Sequence, residues 1–299
     1  MENILDIIAK NNCLVSFNVS GKTLSTFKSG GVVNCVIYPR SEESLIFCAK
    51  TLTESNTKFK IIGNGSNLLF CDGCLEEIVV CTKDIVGASV LRERIEASCG
   101  ANLITLSKLA LANSLSGMEF CCGIPATLGG GICNNCGCYK KELADIVDYV
   151  TVFNGKNVAI ISKYDCKFAY RDSIFKNNNI IIINARLQLC EKNSMIISNQ
   201  MKVFANKRNL TQPKKMSLGS VFKSPEDISS AYYIEKAGLK GKQVGGAMVS
   251  TTHSGFIVNL GNATSQDYYD LAKLVQAEVF KKYGKILERE VEYIGRFKE

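Results

Sequence analysis

Two stretches of this 299-residue chain concentrate residue types suited to holding a phosphate or a flat ligand. The first is Gly63-Asn64-Gly65-Ser66-Asn67, which precedes the apolar run Leu68-Leu69-Phe70. Glycines that bracket small polar residues let backbone N–H groups approach a phosphate with no Cβ in the way. A dinucleotide fingerprint would add a third glycine and a following helix. This loop has neither, so taken alone it also reads as an ordinary tight turn. The second stretch is Gly117-Met118-Glu119-Phe120, then Gly123-Ile124-Pro125-Ala126-Thr127-Leu128-Gly129-Gly130-Gly131, then Asn134-Asn135-Cys136-Gly137-Cys138-Tyr139. Glycine costs about 0.5–1 kcal/mol relative to alanine in regular structure, so this density implies a backbone pressed against something flat or anionic. Ile124, Leu128 and Ile132 are interleaved with the glycines, which argues against a loop made for solvent. Two Cys-x-x-Cys pairs, Cys71/Cys74 and Cys133/Cys136, have the spacing with which a zinc site begins. They lie far apart for a compact zinc ribbon, and the second falls inside the glycine-rich stretch, so no metal site is expected.

The elements that position these stretches are mostly short strands. Val32 to Tyr38 reads as a strand ended by Pro39, after which Ser41 caps a helix running to about Thr53. Phe59 to Ile62 and Glu77 to Cys81 read as strands, and apolar spacing predicts a helix over Leu103 to Leu115. Ile146 to Phe153 and Val158 to Ile161 flank Asn154-Gly155, a hairpin signal because both residues tolerate positive φ. Ile180 to Leu189 is β-branched and strand-like. Helices follow at about Ser198 to Lys207 and Ser265 to Tyr283, and a strand closes the chain at Ile286 to Ile294. All fourteen cysteines lie at or before Cys190 and the single histidine, His253, lies after it. That shift predicts two modules meeting near residue 195, a first domain over 1–194 and a second over 195–299.

A hydrophobic content of 46% excludes a disordered chain. The first twenty residues lack the basic start, apolar run and cleavage pattern of a secretory signal. No stretch approaches the roughly 18 apolar residues of a membrane span. A cytoplasmic protein with free thiols, away from membranes, is the expectation. The formal charge of +8 is spread out, without the basic stripe and interleaved aromatics that nucleic-acid binding needs.

The segment Gly123 to Tyr139 resembles the flavin-embracing segment of UDP-N-acetylenolpyruvoylglucosamine reductases, and Gly63 to Asn67 resembles their FAD pyrophosphate loop. Further matches follow in the family's order at 25–31 (STFKSGG), 170–173 (YRDS), 212–225 (QPKKMSLGSVFKSP), 236–259 (KAGLKGKQVGGAMVSTTHSGFIVN) and 287–295 (LEREVEYIG). The resemblance covers nearly the whole chain. It implies an α+β fold: a two-lobed FAD-binding unit of the vanillyl-alcohol oxidase (PCMH) type, with lobes of about 1–82 and 83–194, and a C-terminal α+β substrate domain whose last strand returns to the active site. It also implies noncovalent FAD, NADPH as co-substrate, and reduction of UDP-N-acetylglucosamine enolpyruvate to UDP-N-acetylmuramate by a monomer. The cofactor-binding residues it implies are Gly63, Asn64, Gly65, Ser66, Asn67, Gly117, Glu119, Gly123, Ile124, Pro125, Thr127, Gly129, Gly130, Asn135 and Gly137.

By the same resemblance Arg171, Ser220 and Glu290 are catalytic. Hydride delivered to the terminal carbon of the enolpyruvyl double bond leaves negative charge spread from the adjacent carbon into the carboxylate, and that charge needs fixed donors. Arg171, planar and always protonated, suits the carboxylate. Glu290, if protonated, donates to the developing enolate, and Ser220 protonates the carbanionic carbon. Lys214, Lys223 and His253 are candidate substrate-side residues; a solvated basic surface is the ordinary role of such lysines. The chain departs from the family pattern at Ser25, Ala126, Cys136, Cys138, Lys140, Met216 and Ser230-Ala231. Ala126 is the departure expected to matter most, should its backbone need positive φ. No tyrosine-bearing insertion separates Arg171 from Ser220, as in the family's shorter subtype. Two alternatives stay open on the sequence: a non-catalytic flavin-binding paralogue, and another FAD oxidoreductase of the same fold.

Overall fold

The computed structural model describes residues 3–176, 178, 180–225 and 228–299. The chain forms two compact units, each assembled from separated segments: Met1–Phe17, Cys35–Asn64 and Glu77–Arg208 in the first, and Asn18–Asn34, Gly65–Glu76 and Asn209–Glu299 in the second. Compactness thus divides the chain differently from the composition boundary near residue 195. The physical reason lies in the second unit's core, where Phe27 and Leu69, both fully buried, pack with Leu218, Tyr268, Leu271 and Val275. Two short early segments supply apolar side chains that this core needs.

In the first unit a five-stranded antiparallel sheet runs in the order Val158–Ser162, Val147–Phe153, Ile181–Gln188, Arg94–Ser98, Ala88–Leu91. A parallel set pairs Phe59–Ile62 with Ile78–Cys81 and Val36-Ile37 with Val79-Val80. The helix Glu42–Glu54 is capped by Ser41 and buries Leu45, Cys48, Ala49 and Leu52, the i, i+3, i+4, i+7 face of an amphipathic helix. The helix expected to reach Leu115 is Leu103–Ala112, capped by Asn102. It stops because Asn113 caps it and Ser114 turns left-handed (φ 57°), which frees Leu115–Ser116 to pair with Cys190–Glu191. The hairpin after Phe153 forms, but only Gly155 takes positive φ. Asn154 acts through its side chain instead, its Oδ1 accepting from the N–H groups of Lys156 (3.0 Å) and Asn157 (2.9 Å).

The helix Ser194–Thr211 is longer than its sequence signal at both ends, and Ile197 is its one fully buried residue. Its outward face carries the polarity that hid those ends. In the second unit an antiparallel sheet runs Ser217–Ser220, Phe256–Asn259, Ala247–Val249, Gln243–Val244. The helix Ser265–Tyr283 packs with it, opened by a Thr264/Asp267 capping box and closed by Gly284 at φ 64°. The closing strand is shorter than expected, Glu292–Ile294, paired in parallel with Leu68–Phe70. Residues before it hydrogen-bond to a different neighbour, Glu290 N to Val221 O and Lys223 N to Glu288 O. Changing partner partway along breaks the ladder that would have made one long strand.

Candidate active site

In the first unit the glycine-rich stretch is folded onto its own protein. Thr127 caps the short helix Leu128–Cys133, its hydroxyl accepting from Gly130 N, while Leu128 N and Gly129 N donate to Ala101 O and Cys99 O at 2.8 Å. A Cβ on Gly129 would lie 3.0 Å from Cys99 Cβ, and one on Gly137 would overlap the Lys141 carbonyl and the Glu142 Cα. A Cβ on Gly63 would strike the Thr127 hydroxyl. Gly130 is different: only Thr127 Oγ1, at 3.2 Å, stands near where its Cβ would be. The Asn64 side chain joins the two glycine motifs, donating to Pro125 O at 2.8 Å. Glu119 is engaged locally, accepting from Ser116 Oγ (2.6 Å) and Gly117 N (2.8 Å). Ile124 and Asn135 also belong to this stretch, Asn135 fully buried.

Arg171 is knitted to the same stretch. Ala169 and Asp172 exchange backbone hydrogen bonds (3.0 and 3.1 Å) around a two-residue turn, and Arg171 occupies its second position at φ 55°. That is a place glycine usually takes. Hydrogen bonds hold it there, among them Arg171 Nη2 to Gly137 O (2.9 Å), Arg171 Nη1 to Asn135 O (3.4 Å), Asn135 Nδ2 to Ala169 O (3.0 Å) and Ser173 Oγ to Cys133 O (2.7 Å).

The second unit brings together Gly65, Ser66, Asn67, Ser220 and Glu290. Thr26 N donates to Gly65 O (3.3 Å) and Thr26 Oγ1 to Ser217 O (2.7 Å), so the segment 25–31 ties the phosphate-type loop to the strand that carries Ser220. Ser25 Oγ donates to Leu68 O at 2.8 Å, which gives this departure from the family a structural role of its own. Asn67 Nδ2 donates to Glu290 O at 2.9 Å, and Glu292 N donates back to Asn67 O at 3.0 Å. Glu290 N reaches Val221 O at 2.9 Å, one residue beyond Ser220. Gly219 sits at φ 77° where the register with Phe256–Asn259 shifts, and this bulge turns Ser220 relative to the strand before it. Among the described residues, the N–H groups of Gly65, Ser66 and Asn67 donate to no protein acceptor.

The substrate-side candidates separate. Lys223 is in an ion pair with Glu288 (2.6 Å), Lys214 is exposed, and His253 is partly buried with its Nδ1 accepting from Gly255 N at 3.1 Å. Burial holds the His253 pKa below its ordinary value, so the ring is neutral at pH 7. Burial also pushes the thiols of Cys121, Cys122 and Cys138 upward, Cys138 to about 11, and a protonated thiol is a poor nucleophile. Ala126 is absent from the residues with positive φ, so its Cβ brings no backbone strain. Among the departures it is Lys140, at φ 63°, that occupies a glycine conformation. A residue the sequence did not flag is Arg208, whose side chain lies along Gly123: a Cβ there would be 2.6 Å from Arg208 Cδ. An arginine near the end of a polar helix carries no signal of such a contact.

Residues 33–159 match the family model of an FAD binding domain, and residues 212–294 match that of the UDP-N-acetylenolpyruvoylglucosamine reductase C-terminal domain. The α+β architecture with an FAD-binding portion therefore stands as expected. UDP-N-acetylenolpyruvoylglucosamine reductase 2 of Bacillus cereus is 38% identical over 280 residues, 93% of this chain and 92% of that protein. The reductase of Clostridioides difficile is 36% identical over 296 residues, 98% and 97% of the two chains. The crystal structure of UDP-N-acetylenolpyruvylglucosamine reductase from Thermus caldophilus superposes with a TM-score of 0.81 at 31% identity, covering 95% of this chain and all of that one. With relatives this similar over almost its full length, the chain belongs to the UDP-N-acetylenolpyruvoylglucosamine reductase family.

Proposed function

We propose that the chain is an FAD-dependent reductase that converts UDP-N-acetylglucosamine enolpyruvate to UDP-N-acetylmuramate with NADPH as electron source. The observation that carries this reading, beyond family membership, is the knitting of Asn67, Glu290 and the Ser217–Ser220 strand by hydrogen bonds of 2.7–3.0 Å within one compact unit. The residues present fit FAD. Gly65, Ser66 and Asn67 offer N–H groups with no protein acceptor among the described residues, the chemistry of a diphosphate nest. At Gly130 a Cβ would meet only the Thr127 hydroxyl oxygen, at 3.2 Å. Gly63, Asn64, Gly117, Glu119, Gly123, Ile124, Pro125, Thr127, Gly129, Asn135 and Gly137 shape the cradle, several of them through packing and not direct contact.

Bound FAD supplies the hydride that NADPH provides, and this chain's residues manage the charge and the proton. Arg171, fixed by the Gly137 and Asn135 carbonyls, presents a permanent cation to the substrate carboxylate. Glu290, with its backbone held at both N and O, donates a hydrogen bond to the developing enolate when protonated. Ser220, presented by the Gly219 bulge, gives its hydroxyl proton to the carbon next to the carboxylate. Lys214 and His253 serve the substrate side in a lesser way, and Lys223 through its pair with Glu288. The product feeds peptidoglycan precursor synthesis, a cytoplasmic route on which cell shape and division depend, and the chain acts there as a monomer. The functional division into 1–194 and 195–299 belongs to the same reading.

The test is turnover with product identification. NADPH oxidation that depends on both FAD and the enolpyruvyl sugar, with a product two hydrogens heavier than the substrate, supports the reading. NADPH oxidation indifferent to the sugar contradicts it.

A further inference from the structure

Tyr268, one turn into the helix Ser265–Tyr283, is fully buried, and among the described residues its hydroxyl has no hydrogen-bond partner. The ring itself is well used. It meets Phe27 edge-on, with centroids 4.9 Å apart and planes at 79°, and packs in the cluster that holds Leu69, Leu218, Val221 and Val291. Phenylalanine would serve that packing as well, and a buried hydroxyl left unpaired is destabilising. Such an atom in a core calls for a use.

The same cluster runs up to the candidate site within the second unit. Val291 directly follows Glu290, whose backbone is held by Val221 O and by Asn67 Nδ2, so the Glu290 segment lies against the core in which Tyr268 sits. Burial first, then the neighbouring Tyr293 and Glu290, push the Tyr268 pKa well above its ordinary value, so the hydroxyl keeps its proton and is available as a donor. Tyr293 is already engaged by Arg289, whose guanidinium lies over its ring at 4.2 Å. Of the two neighbours, the carboxyl of Glu290 is the stronger acceptor.

We infer that Tyr268 is a positioning residue for Glu290: its hydroxyl donates, across one bound water, to the Glu290 carboxyl and fixes the orientation from which that group meets the substrate. The link runs through a water because no acceptor among the described residues stands within direct reach of the hydroxyl, and a bridging water is nearly as good as a direct bond. Tyr268, Glu290 and Tyr293 together give such a water the partners it needs. The inference rests on the reading that Glu290 serves the enolpyruvyl half-reaction.

The experiment compares wild type, Tyr268→Phe, Glu290→Ala and the double variant, each loaded with FAD, in the two half-reactions by anaerobic stopped flow, with urea unfolding alongside. Tyr268→Phe is expected to leave flavin reduction by NADPH unchanged and the urea midpoint no lower than in wild type, since the ring packing is kept. Reoxidation at saturating enolpyruvyl sugar should slow at least about fivefold, the size of a coupling within one hydrogen-bonded network. In the Glu290→Ala background the same change should alter reoxidation by less than about twofold, because the effect runs through the carboxyl. Unchanged reoxidation in Tyr268→Phe overturns the inference, and so does an equal slowing in both backgrounds. A lowered midpoint with both half-reactions slowed assigns the hydroxyl to the fold and overturns it as well. A wild type whose flavin the sugar does not reoxidise is a different failure, that of the functional reading itself.

Discussion

The glycine-rich stretch of the first unit and the Ser220 region of the second reach precision by opposite means. Between Gly117 and Gly137 the glycines are largely used up by the protein itself: Gly129 by Cys99, Gly137 by Lys141 and Glu142, Gly123 by Arg208. In the second unit the placement comes from single side chains reaching across to backbone, with Thr26 holding Ser217 and Asn67 holding Glu290. Dense glycine marks close approach of chain to chain as readily as approach of chain to ligand. What separates the two is whether a Cβ would meet backbone, as at Gly137, or only a side-chain hydroxyl, as at Gly130.

The largest expected effect bears on the second region. Ser220→Ala should let NADPH reduce the flavin at an ordinary rate while reoxidation by the enolpyruvyl sugar slows about 10²- to 10⁴-fold, the usual weight of a positioned acid. Stopped-flow absorbance separates the two half-reactions, and a slow first half-reaction would mean that Ser220 shapes the flavin site instead.

The first region is tested by a pair of glycines. Gly137→Val should destabilise the apoprotein by about 1–3 kcal/mol, because its side chain has backbone in its way. Gly130→Ala should change the stability of the apoprotein by less than about 1 kcal/mol, alanine's gain in helix propensity being set against its 3.2 Å approach to Thr127 Oγ1. Its cost should appear in weaker FAD retention. Urea unfolding with and without FAD reads both, and equal apoprotein stabilities for the two variants would erase the distinction drawn between packing and cradle.

A smaller effect is expected at Lys140, beside the stretch and held at φ 63°. Lys140→Gly should stabilise the protein by about 0.5–1 kcal/mol, the relief of a left-handed side chain less the entropy glycine adds to the unfolded state.

The mildest prediction concerns pH. Burial depresses the folded pKa of His253, so the unfolded chain takes up this proton first. The stability involved is fully present above the unfolded value of about 6.5 and is lost as pH falls through the folded value. Protonation would also cancel the hydrogen bond that Nδ1 accepts from Gly255 N. Between pH 7 and 5.5, urea midpoints should fall in wild type and fall less in His253→Gln. Parallel curves would show that the histidine does not titrate in this way.

Much of this was legible in the chain. The Ser41 cap, the helix Ser265–Tyr283 and the strand Phe59–Ile62 follow from local chemistry, and the ordered motifs gave the family. The discontinuity of the units was not legible, because nothing local tells Phe27 and Leu69 that they belong to a core built mostly after residue 209. The closing strand begins at Glu292 and not at Ile286, because alternating side chains report extended backbone and say nothing of a change of partner. Backbone strain was sought at Ala126 and found at Lys140 and Arg171, since φ is set by the turn that the tertiary ties impose. Arg208 escaped notice for a related reason: its place over Gly123 depends on how far the helix Ser194–Thr211 extends.

The central claim, that this chain carries electrons from NADPH to an enolpyruvyl sugar through FAD, is tested most directly by visible absorbance under anaerobic conditions. The account predicts a flavin spectrum that bleaches on adding NADPH and returns on adding UDP-N-acetylglucosamine enolpyruvate. Bleaching without return would point to another acceptor, and a protein that cannot be loaded with FAD would contradict the account altogether.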